Sequence, residues 1–528
     1  MADYIIVGAG DAGCVIAARL SEDRDVSVLL VEAGPKDTNP YIHMPVGFAK
    51  MTAGPLTWGL KTAPQKHAMD REIPYAQGKV LGGGGSINAQ VFTRGAPADY
   101  DAWANEHGCH GWSFAEIQRY FIRMEDNDTH AGSWHGIGGP LGVSSVPPHK
   151  LTRAFVQACQ EFGMPYNPDF NGPRQSGTGA YQTTTRNGRR SSTAVAYLRG
   201  ALKRPNLELR TGVEVLRVVV ENYRAIGIEI AEAGGTAILR CEREVIVAAG
   251  AIGSPKLLLL SGIGPADELQ AVEVAVVHDL PGVGRNLQDH YGIDLVYALN
   301  GDHSYDRYKR PHWRAWAGLE YALFRKGPVA SNIVEGGAFW NSHWDGEVAP
   351  DLQFHFLVGA GVEAGVPEIT GSGVTVNSYT LRPKARGSVR LAAADVRRMP
   401  VIDPNFLGDP DDIRISVEGV KISREVMHQS ALGRYVREEH FPGKGVRSQF
   451  DFETYARQYG RTSYHPVGTC RMGIDADAVV DPELRLRGIE GLRVCDSSIM
   501  PSLVSSNTNA ATIMIGEKAS DLIRGNRL

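Results

Sequence analysis

A parallel α/β unit, split along the chain and carrying an inserted α+β unit, is the fold class predicted by the 528-residue sequence. Three observations predict it. An apolar run from Tyr4 leads through Gly8-Ala9-Gly10-Asp11-Ala12-Gly13 into a helix-like stretch, then into a second apolar run, 26–31, closed by Glu32. Stretches in the middle of the chain alternate apolar and polar residues with the period of half-buried strands. Near position 490 the character of the first unit returns, with 492–496 reading as a strand and 512–523 as a helix.

Taken in order, the first thirty-odd residues make a βαβ unit of Rossmann-like design. Gly8 permits the tight turn after the first strand, Gly10 lets the backbone approach a pyrophosphate, and Gly13 lets the helix pack on the strand. The unpaired N–H groups of the helix start then face phosphate. Glu32 lies where a carboxylate accepts a hydrogen bond from a ribose 2′-OH, which favours FAD or NAD over NADP. Glycine-rich turns alone are common; strand, turn, helix, strand and acid in this sequence predict a dinucleotide site.

Residues 78–95, glycine-rich and then polar, predict a loop and helix start lying against a ligand. The spacing over 103–124 predicts a helix. The segment 129–190, rich in Gly, Pro, Asn and Ser, is predicted to be mostly loop. Residues 207–217 and 225–231 alternate like antiparallel strands, whereas 244–249 is a continuous apolar run, as in a buried parallel strand. Beyond about 300, strands are predicted at 352–358, 374–381 and 388–391 and a helix at 411–427. The expected division is 1–150, 190–300 and 460–528 for the dinucleotide-binding domain, with 151–189 and 301–459 forming a substrate-binding domain.

Composition narrows the function classes. A net charge of −4 offers no basic excess for nucleic acid. The six cysteines form no C-x-x-C pair, so free thiols are expected, with no metal centre. The greasiest stretch, 245–260, is broken by Gly250, Gly253, Pro255 and Lys256, so no transmembrane segment is expected. Nor is a secretory signal visible. The expected location is cytoplasmic, with room for peripheral attachment at the inner membrane.

Five ordered blocks carry a family resemblance: Gly78-Lys79-Val80-Leu81-Gly82-Gly83-Gly84-Gly85-Ser86-Ile87-Asn88 continuing to Asp101, residues 250–264, residues 282–290, Tyr464-His465-Pro466-Val467-Gly468-Thr469-Cys470-Arg471-Met472-Gly473, and residues 496–509. They resemble the signatures of the glucose–methanol–choline (GMC) oxidoreductases over essentially the whole chain. The stretches 42–51, 327–332 and 351–357 look closest to the bacterial FAD-dependent L-sorbose dehydrogenases of that family. The resemblance implies the GMC fold, FAD, and oxidation of a primary alcohol of a small sugar or polyol by hydride transfer. It implies FAD contacts at Gly8, Gly10, Ala12, Gly13, Glu32, Ala33, Gly82, Gly83, Gly85, Asn88, Val91, Val213, Ala249, Gly250, Asp496, Asn507 and Thr508. Ile87 stands where some members tether flavin through histidine, so the FAD is expected to be non-covalent.

The same resemblance makes His465 the catalytic base. A neutral imidazole suits removal of a hydroxyl proton while hydride leaves carbon. Asn507 matches the second position of the family pair, where an amide donates a hydrogen bond to the developing alkoxide. His290 is expected only to satisfy local hydrogen bonds. Polar positions at Glu335, Gln353, His355, Asn377 and Tyr464 are the substrate-contact candidates. The electron acceptor (quinone, dye or O2) stays open. So do a family oxidase or broad alcohol dehydrogenase and, further off, a non-redox enzyme of hydroxynitrile-lyase type.

Overall fold

The computed structural model describes residues 1–232, 234–343, 349–363 and 365–525. Its parallel sheet is ordered Leu207–Thr211, Val28–Glu32, Ala2–Val7, Gly235–Val247, Leu492–Val494, all parallel where they meet. Ile5, Ile6, Leu30 and Val245 through Val247 have no exposed surface, which is why these strands read as unbroken apolar runs. Helix Asp11–Leu20 covers the sheet and is itself packed against Asn509–Arg524. Gly516 makes this possible, since a Cβ there would lie 3.1 Å from the Ala12 Cα.

Gly235–Val247 serves two structures. Its second half lies in the parallel sheet, while its first half pairs antiparallel with Arg224–Glu232, which pairs in turn with Val215–Glu221. The stretch 207–217 therefore holds two strands rather than one. Gly212 and Val213 donate to the carbonyls of Gly34 and Glu32, pulling Leu207–Thr211 into the parallel edge before the chain turns away.

The second sheet is antiparallel throughout, in the order Val436–Phe441, Tyr291–Leu299, Gly373–Thr380, Leu352–Leu357, Val334–Trp340, Gly177–Ala180. Arg461–Thr462 joins at Tyr291 and Gly292. This strand and Tyr291–Leu299 lie just outside the 301–459 span expected for the insertion. Helices Lys150–Phe162 and Pro410–His428 cover one face, where Phe155 stacks on Phe356 at 4.6 Å. The opposite face presents His355, Asn377 and Tyr379 to the parallel unit.

Two other expectations change. The 103–124 helix is two helices, Pro97–Asn105 and Phe114–Met124, separated by a turn through Gly108 and Gly111. The loop-rich 129–190 segment contains the thirteen-residue helix Lys150–Phe162, whose apolar stripe of Leu151, Phe155, Ala158 and Cys159 was masked by the prolines and glycines around it. All six cysteines are unpaired.

Candidate active site

One cavity runs from the carboxyl ends of the parallel strands to the antiparallel sheet. This is where an open α/β sheet holds its ligand. At the far end sits Glu32, buried, with Oε2 accepting the Ala9 N–H and Oε1 the Gly34 N–H, both at 2.8 Å. Burial pushes its pKa up, and each oxygen keeps a lone pair for a ribose hydroxyl. Val213 and Ala33 line the wall beside it.

The glycines sort into two kinds. A Cβ on Gly13 would lie 1.9 Å from the Gly8 carbonyl oxygen, so Gly13 serves helix–strand packing. A Cβ on Gly250 would meet nothing within 4 Å, and Gly250 lines the cavity at a φ of +80°. Its bare backbone therefore faces the open cavity. Asp496 caps Ser497–Ile499 by accepting the Ser498 N–H at 2.8 Å, and also accepts the Gly250 N–H at 2.9 Å and the Ser254 hydroxyl at 2.5 Å.

At the other end, His465 and Asn507 meet. Strand Arg461–Thr462 delivers the first, and Asp289 fixes it by accepting the His465 backbone N–H at 2.8 Å. The Asn507 amide is oriented by Gln353 Nε2 at 3.2 Å and Thr93 Oγ1 at 3.3 Å, both donating to its Oδ1. Its Nδ2 then donates to His465 Nε2 at 3.2 Å.

His290 decides the tautomer. Its Nε2 is 3.0 Å from the Leu381 carbonyl, which can only accept, so Nε2 carries the proton. Burial holds His290 neutral, far below the usual imidazole pKa, leaving Nδ1 as an acceptor. His465 Nδ1, 2.9 Å away, must therefore donate. Burial likewise pushes His465 down to about 3, so it is neutral, and its unprotonated Nε2 accepts the Asn507 amide hydrogen. This arrangement can take a proton at one point of the cavity and give a hydrogen bond beside it.

The wall beyond is polar. Arg461 pairs with Asp294 at 2.6 Å and with Glu363, and Glu363, Ser463, Tyr464 and Asn377 line the cavity with it.

Comparison with known proteins bears on what this arrangement serves. The GMC oxidoreductase family profile matches residues 2–292 and 383–516. The chain is 42% identical to an alcohol dehydrogenase [acceptor] of Pseudomonas putida, over 99% of this chain and 96% of that one. It is 41% identical, with the same coverage, to an oxygen-dependent choline dehydrogenase of Brucella anthropi. Among solved structures, pyridoxine 4-oxidase from Mesorbium loti superposes with a TM-score of 0.91 at 31% identity, covering all of both chains.

The chain belongs to the GMC oxidoreductases.

It is an FAD enzyme that oxidises alcohols, and the cavity fits the cofactor. Of the residues expected to hold FAD, Gly8, Gly10, Ala12, Glu32, Ala33, Gly83, Asn88, Val91, Val213, Ala249, Gly250, Asp496, Asn507 and Thr508 line the cavity. Gly13, Gly82 and Gly85 do not. Gly82 packs against Ser86 and Ala194, and Gly85 against the Asp11 carboxylate. Ile87 lines the cavity and offers no atom for a covalent tether.

The expected substrate contacts divide as well. Asn377, Tyr464 and His355 line the cavity. Gln353 lies behind the wall as a partner of Asn507. Glu335 is a structural acid: its carboxylate accepts from His149 N, Thr152 Oγ1, Tyr305 Oη and Ser331 Oγ, tying helix Lys150–Phe162 to the sheet. His290, expected only to satisfy local hydrogen bonds, makes them to Leu381 and His465, and what sequence reasoning missed is that these bonds set the His465 tautomer. The signal available was the adjacent Asp289-His290 pair directly before the strand that begins at Tyr291.

Proposed function

We propose that this GMC oxidoreductase oxidises a primary hydroxyl of a small sugar or polyol to the aldehyde, with L-sorbose to L-sorbosone as the reaction. The observation that carries the chemistry is the convergence of an unprotonated His465 Nε2 and the Asn507 amide on one point of the cofactor cavity. His465 Nε2 takes the hydroxyl proton, and Asn507 Nδ2 donates to the oxygen as its charge grows. FAD, when bound, supplies the hydride acceptor. His290 keeps the His465 proton on Nδ1, away from the substrate.

The polar wall supports the substrate class. Asn377, Ser463, Tyr464 and the Arg461–Glu363 pair offer donors and acceptors suited to several hydroxyl groups. Choline, the substrate in the names of several relatives, is the second reading. Against it, the Glu363 carboxylate is held by Arg461 and is not free for a quaternary ammonium.

Anaerobic addition of L-sorbose to the purified enzyme is expected to bleach the ~450 nm flavin band. Bleaching by choline or simple primary alcohols, with none by L-sorbose, overturns the substrate assignment. A flavin that stays yellow with every alcohol points to non-redox, lyase-type chemistry. Peroxide release in air separates an oxidase from a dehydrogenase.

A further inference from the structure

Helix Pro311–Phe324 carries its apolar stripe on the outside. Only Ala317 and Tyr321 are buried, whereas Trp316, Leu319, Leu323 and Phe324 are 59, 52, 64 and 65% exposed. Trp316, Leu319 and Leu323 follow one another at three- and four-residue spacing and so share a face, with exposed Ala315 and Ala322 beside it. A surface helix of a soluble domain turns such a stripe inward.

Charge around the stripe is mostly positive. Residues 305–326 hold six Arg and Lys against two acids, Asp306 and Glu320, in a chain whose net charge is −4. Lys309 and Arg310 are bridged to Asp306 and Asp302. Arg314, Arg325 and Lys326 are exposed and outside any ion pair among the described residues. Aromatic and aliphatic side chains flanked by free cations match the headgroup boundary of an anionic bilayer. A second copy fits poorly, because a self-complementary contact would bring these cations together. Spanning is excluded by length, and no helix among the described residues is long and apolar enough to cross a membrane.

We propose that helix Pro311–Phe324 is an interfacial anchor that seats the protein on an anionic lipid bilayer. The anchor is attached close to the cofactor cavity. Tyr321 Oη donates to the His43 carbonyl, and the adjoining turn Pro45–Lys50 contributes Phe48 to the cavity wall.

Flotation of the holoenzyme with vesicles tests this. Wild type is expected to float with phosphatidylcholine vesicles containing phosphatidylglycerol and to stay behind with phosphatidylcholine alone. Trp316→Ser/Leu319→Ser/Leu323→Ser should lower partitioning at least about tenfold. Arg314→Glu/Lys326→Glu should lower it by at least about fivefold for each cation replaced. Both variants alter exposed side chains and should keep flavin content and the wild-type far-ultraviolet spectrum. Three results overturn the proposal: wild type that ignores phosphatidylglycerol vesicles, a triple-serine variant that floats like wild type, or a wild-type dimer in sedimentation that the triple-serine change converts to monomer.

Discussion

Two sets of buried histidines lie on opposite sides of this molecule's charge balance. His465, His290 and His355 sit around the cavity, and burial drives all three down, His465 and His355 to about 3. His135 is buried as well, and burial pulls it down too. The Asp169 and Glu125 carboxylates, 2.9 and 3.1 Å from its two ring nitrogens, overcome that and raise it to about 9. Burial alone does not decide the charge of an imidazole; the reach of carboxylates does. The cavity also has a carboxylate near its base, Asp289, but that group grips the backbone N–H of His465 and leaves the ring alone. The charged histidine ties down a loop. The neutral one is free for chemistry.

The contrast can be broken at several points. His465→Ala should slow flavin reduction by about 10²- to 10⁴-fold in anaerobic stopped flow. Asn507→Ala, which removes a donor and leaves the base, should cost about 10²-fold, at the low end for a lost transition-state hydrogen bond. Equal, small losses in the two variants would sink both roles. His290→Phe, which removes the acceptor for His465 Nδ1, should cost about tenfold and change the pH profile of flavin reduction. His290→Gln should restore much of the rate, since its amide can accept from His465 and donate to Leu381. A packing role alone predicts no such rescue.

The smallest effect on turnover belongs to the other cluster, where stability is the readout. His135 is raised on folding, so its contribution is full below the unfolded pKa of about 6.5 and disappears as pH rises through about 9. Wild type should lose about 3 kcal/mol over that window, and His135→Gln should show no such slope in urea titrations. The neutral cavity histidines act in the opposite sense. Unfolded chains bind protons that the folded site refuses, so stability is lost as pH falls from about 6.5 toward 3.

How much of this the sequence disclosed depends on the range of the interaction involved. The Gly8 turn, Glu32 and the strand at 28–32 are local, and each lies where its neighbours in sequence imply. Gln353 and His355 alternate with Phe354 and Phe356, so their shared face was legible. Which face meets the cavity was not. Glu335 failed because the register shifts between Val334 and Gly336, which breaks the two-residue period at that position. The tautomer of His465 was beyond reach, since it rests on the Leu381 carbonyl, far away in the chain.

The pairing of Val245 with Leu492 has a consequence for assembly. The wall that Asp496 completes cannot close until chain segments separated by most of the insertion have found each other, which makes cavity formation a slow, non-local folding event. FAD, if held from Glu32 to Asp496 as the resemblance implies, would favour only the closed arrangement. Its binding draws the folding equilibrium forward by mass action. Cofactor supply during synthesis then governs the yield of folded enzyme as well as its loading.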